Sequence, residues 1–147
     1  MKALTIWQPW ASLIIEGLKP REFRSWAAPK SVVGQRIVIH AAKRPMKSGE
    51  IRDILDYVGS RHGILDGIQP AAGDLLERVW RRETDLPMSA GLGTATLGAP
   101  RVPTHRLPAL GEPEPHRPIY AWPLLDIQKW PEPIPAKGAQ GFWEWRP

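Results

Sequence analysis

"LTIWQPWASLIIEGLKPREFRSW", residues 4–26, changes character three times. The opening "KALTIW" alternates, with Ala3, Thr5 and Trp7 on one face and Leu4 and Ile6 on the other, which predicts a strand. "QPWASLIIEGLK" then carries Pro9 where a first helical turn accepts proline. Trp10, Leu13 and Ile14 form an apolar stripe, and Gly17 supplies a stop. Pro20 forbids continuation, so "REFRSW" is expected to leave in extended form. The corner between helix and second strand, "EGLKPREFRSW", is crowded with Lys19, Arg21, Glu22 and Arg24. A surface turn needs only Gly, Pro, Asn or Asp, so this much charge raises the question of a site.

Extended geometry decides what that corner can present. Glu22 and Arg24 project from the same face of a strand, and Trp26 continues it. The long Lys19 side chain, just before the strand, can fold back over it. Such a surface offers an amine, a carboxylate, a guanidinium and an indole. Together they can grip an anion, stack a base and pass protons between Lys19 and Glu22. The plainer alternative is an exposed Glu22–Arg24 pair, which contributes little. Gln8 carries an amide able to read a base edge or to cap the helix that follows it. Trp10 and Trp26 are the two indoles taken as exposed for stacking, and most of the eight tryptophans are expected in the core.

Outward from the corner, "GQRIVIHAAK" is the clearest strand, its run Ile37, Val38, Ile39 buried on both faces. His40 and Lys43 follow where that strand meets solvent. His40 is a candidate proton shuttle or a histidine hydrogen-bonded at a strand end, and Lys43 a phosphate contact. "SGEIRDILDYVGSR", with Ser48 as cap, and "PAAGDLLERVWRR" show helical spacing and predict two helices. "GLGTATLGAPRVPTHR" fits a bent barrel strand. Residues 99–118 are expected to form a proline-rich irregular loop, "PIYAWPLLDIQKW" a strand, and "PEPIPAKGAQGFWEW" a rigid turn with a final aromatic strand.

Composition bounds the chemistry. The 147 residues suit one domain, 1–147, with a genuine core. No cysteine is present, which removes disulfides, thiolate nucleophiles and cysteine-based zinc sites. Histidines 40, 62, 105 and 116 match no metal-ligand spacing, and no phosphate-binding glycine loop or nucleophile elbow appears. Neither metal nor cofactor is expected. No apolar run approaches the roughly 20 residues of a membrane span, and the start lacks a signal-peptide pattern, so a cytoplasmic protein is expected. The net charge of +5 is uneven: residues 1–47 carry nine Lys/Arg against two Glu, and the remainder is slightly acidic. A concentrated basic field favours polyanions, nucleic acid foremost.

The succession "LTIWQPWASLIIEGLKPREFRSW", "RIVIHAAK", "GTATL", "YAWPLLD" and "PIPAKGAQGFWEW" resembles the ASCH family. The family pattern G-x-K-x-x-E-x-R is met by Gly17, Lys19, Glu22 and Arg24. The patterning itself reads as a small β-barrel-like domain with helices packed on it, class α+β. The resemblance implies a PUA-like small mixed β-barrel of five to six strands with helices packed around it. It also implies RNA bound in a cleft beside the barrel, lined by that motif. Some similar members are nucleases on single-stranded RNA, which makes a metal-independent ribonuclease the leading expectation, with Lys19 and Glu22 catalytic. Gln8, Trp10, Arg24, Trp26, His40 and Lys43 would then bind the ligand. The alternatives are an amidohydrolase on an acetylated cytidine nucleoside and a non-catalytic module that recognises nucleic acid or a modified base. In the amidohydrolase the motif lysine acts with a threonine three residues later and a distant glutamate. Here Glu22 stands at the threonine's place, and a carboxylate supplies no hydroxyl nucleophile.

Overall fold

The computed structural model describes residues 1–102 and 119–147. Most of the proline-rich segment expected at 99–118 lies outside the described residues. β1 (Lys2–Ile6) leads into α1 (Trp10–Ile15) and β2 (Arg21–Arg24), then β3 (Arg36–Ala41). α2 (Ser48–Val58), α3 (Arg61–Leu65) and α4 (Ala71–Trp80) follow, and β4 (Ala90–Leu97), β5 (Tyr120–Pro135) and β6 (Phe142–Glu144) complete the chain. The strands form one sheet in the order β2-β5-β4-β3-β1-β6, with β1 and β3 parallel and the other neighbours antiparallel. This is the α+β half-barrel that the strand and helix patterning anticipates, PUA-like as the family resemblance implies.

One face of the curled sheet collects the large aliphatic side chains. Leu4, Ile6, Ile37, Ile39, Leu92 and Leu97 pack there with Trp122, and α1 covers them through Ala11, Ile14 and Ile15. Leu13, on the opposite side of α1, joins Ile54, Val58, Ile68, Ala72 and Leu76 in a second cluster. A helix with apolar residues on both sides thus couples barrel to helical layer, and its burial supplies most of its stability. Curling brings the two ends of the sheet together, where Trp26 packs edge-on against Trp122 and Phe142 at centroid distances of 4.7 and 6.3 Å.

Four sequence expectations change. The middle segment holds three helices, because Ser60 accepts a hydrogen bond from the Gly63 amide and starts a short one that periodicity over five residues cannot reveal. Ser48 is the first residue of α2, not its cap; the Glu50 carboxylate accepts from the Lys47 amide instead. "PEPIP" is part of β5 rather than a turn. Pro131 and Pro133 fall within a register shift against β4, where ladder bonds are interrupted and a strand tolerates proline. Among the eight tryptophans only Trp122 is fully buried. Aliphatics fill the core, and indoles cover the sheet's other face instead, where Trp130 and Trp145 leave no room for a Cβ on Gly91.

Candidate functional site

The charged corner is built by a left-handed glycine. Gly17 has φ +75°, its amide donates to Ile14 O, and the Leu18 amide donates back to Leu13 O at 2.8 Å. These two bonds end α1 in the manner that only a residue tolerant of positive φ allows cheaply. The chain is then pinned on both sides: Leu18 O accepts from the Gln69 amide, and Pro20 O from the Leu124 amide. Lys19 consequently points inward. It is 3% exposed, donates to Arg21 O, and lies 3.6 Å from Glu22 Oε1 and 5.2 Å from the centre of the Trp10 ring. Burial pushes its pKa below the usual lysine range; Glu22, and Asp66 from the helical layer, pull it back up. Asp66 is itself buried and accepts from the Tyr57 hydroxyl.

Glu22 connects this interior to the surface. It is 7% exposed; Oε1 accepts from the Phe23 amide and Oε2 from Arg24 Nη2 at 3.1 Å. The same Arg24 nitrogen donates to Thr5 O at 3.1 Å, across the gap where β2 approaches β1 without pairing with it. The guanidinium also stands 5.8 Å from the Trp122 ring. Arg24 is therefore held from behind by a carboxylate and from the side by a carbonyl, while it lines an open cavity of about 690 Å³.

That cavity is shared by Thr5, Trp7, Trp26, His40 and Lys43, with the segment Lys137–Gly141 closing one side. Trp7 is 57% and Trp26 38% exposed, so both indoles offer surface to a ligand. Trp7 is backed by the Arg44 guanidinium at 4.2 Å, and Arg44 pairs with Glu50 at 2.8 Å. Among the described residues, Lys43 and Lys137 have no acidic partner. His40 is 1% exposed, and both its ring nitrogens are engaged: Nε2 donates to Ala136 O at 2.7 Å, and Nδ1 accepts from the Thr5 hydroxyl at 3.2 Å. The tautomer follows from Ala136 O, which can only accept. Burial lowers the His40 pKa, and the bond to Ala136 opposes that.

The residues singled out from the sequence therefore divide. Arg24, Trp26, His40 and Lys43 meet on one cavity. Lys19 and Glu22 lie behind it, and neither lines it. Gln8 is also elsewhere. Its amide is buried, donating to Ser12 Oγ and Pro87 O at 2.7 Å each and accepting from the Ser12 amide, so it caps α1 and has no edge free for a base. Trp10 packs edge-on against Tyr57 and bridges the two apolar clusters. His40 is bound at a strand end rather than free to shuttle protons. Sequence reasoning missed Trp7, Lys137 and the glycines of "KGAQG". Trp7 had a strand position that explained it, and only the pair of glycines beside a lysine hinted at the loop.

A curled mixed sheet, a helical layer against α1 and a Lys–Glu–Arg corner between them define a PUA-like domain. The ASCH domain family model matches residues 4–85, more than half of the chain, and the chain belongs to the ASCH family. No curated protein matches it. Among the described residues no helix is long and apolar enough to cross a membrane, and no three His, Asp or Glu side chains are grouped closely enough to hold a metal ion.

Proposed function

We propose that the protein binds single-stranded RNA and seats one nucleotide in the Arg24–Lys43–Lys137 cavity. The observation that carries this reading is the combination of three cationic side chains and two exposed indoles on a single cavity. Cations attract the phosphate, and an indole face stacks any base regardless of sequence. Lys19 and Glu22 then act as supports: Glu22 fixes Arg24, and Lys19 balances Glu22 from behind. Fluorescence anisotropy of labelled single-stranded RNA over a salt series tests the reading. Three cations at about 0.7 each predict a slope of log K against log salt of about −2. A flat response with RNA would sink it.

A metal-independent ribonuclease is a second reading, favoured by the lowered pKa of Lys19, which brings the neutral amine closer to ordinary pH. Lys19 or Glu22 would take the 2′-hydroxyl proton, and Arg24 would face the phosphorane charge. This reading requires the strand to reach two residues that do not line the cavity, so RNA recognition ranks first. Incubating wild type and Lys19→Ala with RNA, and separately with an acetylated cytidine, separates the cases. RNA fragments made by the wild type and absent with the variant establish a nuclease. Deacetylation lost in the variant places the chemistry on an amide. Intact substrates leave recognition as the activity.

A further inference from the structure

The segment "AKGAQG", residues 136–141, lies beyond the stretch matched by the family model and joins β5 to β6. Its last five residues, Lys137, Gly138, Ala139, Gln140 and Gly141, all line the cavity. None of their backbone N–H groups is hydrogen-bonded among the described residues. The part of the cavity wall lined by these residues thus carries five consecutive amides without an internal acceptor, beside a lysine without an acidic partner.

The wall is held in place. Its root, Ala136, donates its amide to Ser89 O at 3.0 Å, and its carbonyl accepts from His40 Nε2 at 2.7 Å. Gly138 then lies directly on the His40 ring and the Thr5 hydroxyl: a Cβ there would come 2.5 Å from His40 Cε1 and 2.8 Å from Thr5 Oγ1. Thr5 is fixed in turn by the Trp143 indole, which donates to its Oγ1 at 3.0 Å. At the far end Gly141 adopts φ +67°, the left-handed region that lets the chain turn into β6. A backbone fixed at both ends with amides left over is suited to an anion, because the donors are paid for before the ligand arrives.

We propose that Lys137–Gly141 is a phosphate cradle, which grips a phosphodiester oxygen through backbone amides and the Lys137 ammonium, with His40 as the latch of the loop. The proposal rests on the RNA reading and extends it, assigning the phosphate to this loop and leaving the base to Trp7 or Trp26. It also explains a histidine whose two nitrogens are both committed inside a cavity: His40 is a positioning residue.

Backbone-amide NMR of the ¹⁵N-labelled full chain tests this with three probes, a short oligouridine, uridine and inorganic phosphate. The expected result is that the amide resonances of Gly138, Ala139, Gln140 and Gly141 move with oligouridine and with phosphate but stay in place with uridine. Oligouridine that binds while these resonances stay still overturns the cradle and leaves the RNA reading standing. Phosphate that moves them when oligouridine does not bind supports the cradle and removes the RNA reading. Equal movement with uridine overturns the phosphate assignment, and no movement with any probe overturns the cradle.

Two variants add an independent arm. Lys137→Ala, at an exposed position, should weaken oligouridine binding about fivefold and flatten the salt slope by about 0.7. Gly138→Ala forces the loop off His40 and should weaken binding about tenfold, with the downfield His40 Nε2–H resonance lost. If Gly138→Ala fails to fold, Lys137→Ala decides alone, and unchanged affinity and slope there overturn the proposal.

Discussion

Lys19 and Lys43 belong to the same basic third of the chain, yet one is shut between a carboxylate and two aromatic rings while the other stands on an open cavity with no acidic partner among the described residues. The two lysines differ in what their charge can do. In a dry site a charge must be answered locally, and Lys19 is answered by Glu22, with Asp66 adding a further favourable field. On the cavity wall water answers the charge until an anion replaces it. The motif's lysine, glutamate and arginine thus act as a graded series, from interior to surface, in which only Arg24 reaches both environments.

The sharpest way to break this contrast is to remove the carboxylate between them. Glu22→Ala leaves Lys19 without its closest counter-ion and frees Arg24 from its rear support. A loss of about 3–5 kcal/mol in urea unfolding is expected, as for other buried pairs cut on one side. A loss below about 1 kcal/mol would mean that Lys19 is already neutral in the folded protein. RNA affinity should fall as well, because Arg24 loses its orientation.

A second, smaller effect comes from His40, which sits at the border of the two environments. Its folded pKa lies below the ordinary 6.5, so the unfolded chain binds the proton more readily. Its contribution to stability is then complete above about pH 6.5 and is lost as pH falls from there toward the folded value. Melting temperature should drop on going from neutral to mildly acidic pH, and His40→Asn should flatten that drop. An equal slope in wild type and variant would mean that other groups carry it.

The smallest effect on stability belongs to the open side. Lys43→Ala should leave unfolding within about 0.5 kcal/mol of wild type, since nothing internal depends on its ammonium. Its RNA affinity should nevertheless drop about fivefold, with a shallower salt slope. Should stability and binding fall together, Lys43 would belong with Lys19 and the contrast would dissolve.

Much of this site could be read from residues 4–26. The Leu4/Ile6 alternation, the stripe of α1, Gly17 and Pro20 each have a local physical meaning, and together they place Lys19, Glu22 and Arg24 at a corner. What could not be read was direction. Gln8 can by its chemistry cap a helix or read a base edge, and the choice falls to the cap because Pro87, far along the chain, offers its carbonyl. The basic excess of the first third was real, but Glu50, Asp126 and Glu144 from later segments neutralise Arg44, Arg36 and Lys2. That leaves a smaller field than the charge count suggests.

By itself, then, the sequence determined most of the elements, though not α3 or the proline-rich end of β5, together with the α+β class and the charged corner, because helix stops, strand alternation and proline act over a few residues. Tertiary structure alone decided which charges are buried and which face the cavity. That depends on the curl of the sheet, which sets Arg24 against Thr5 and carries Lys137–Gly141, more than a hundred residues downstream of the corner, over His40. Contacts at such separation leave no periodic mark in either segment, since each residue's local preferences are satisfied whichever partner arrives.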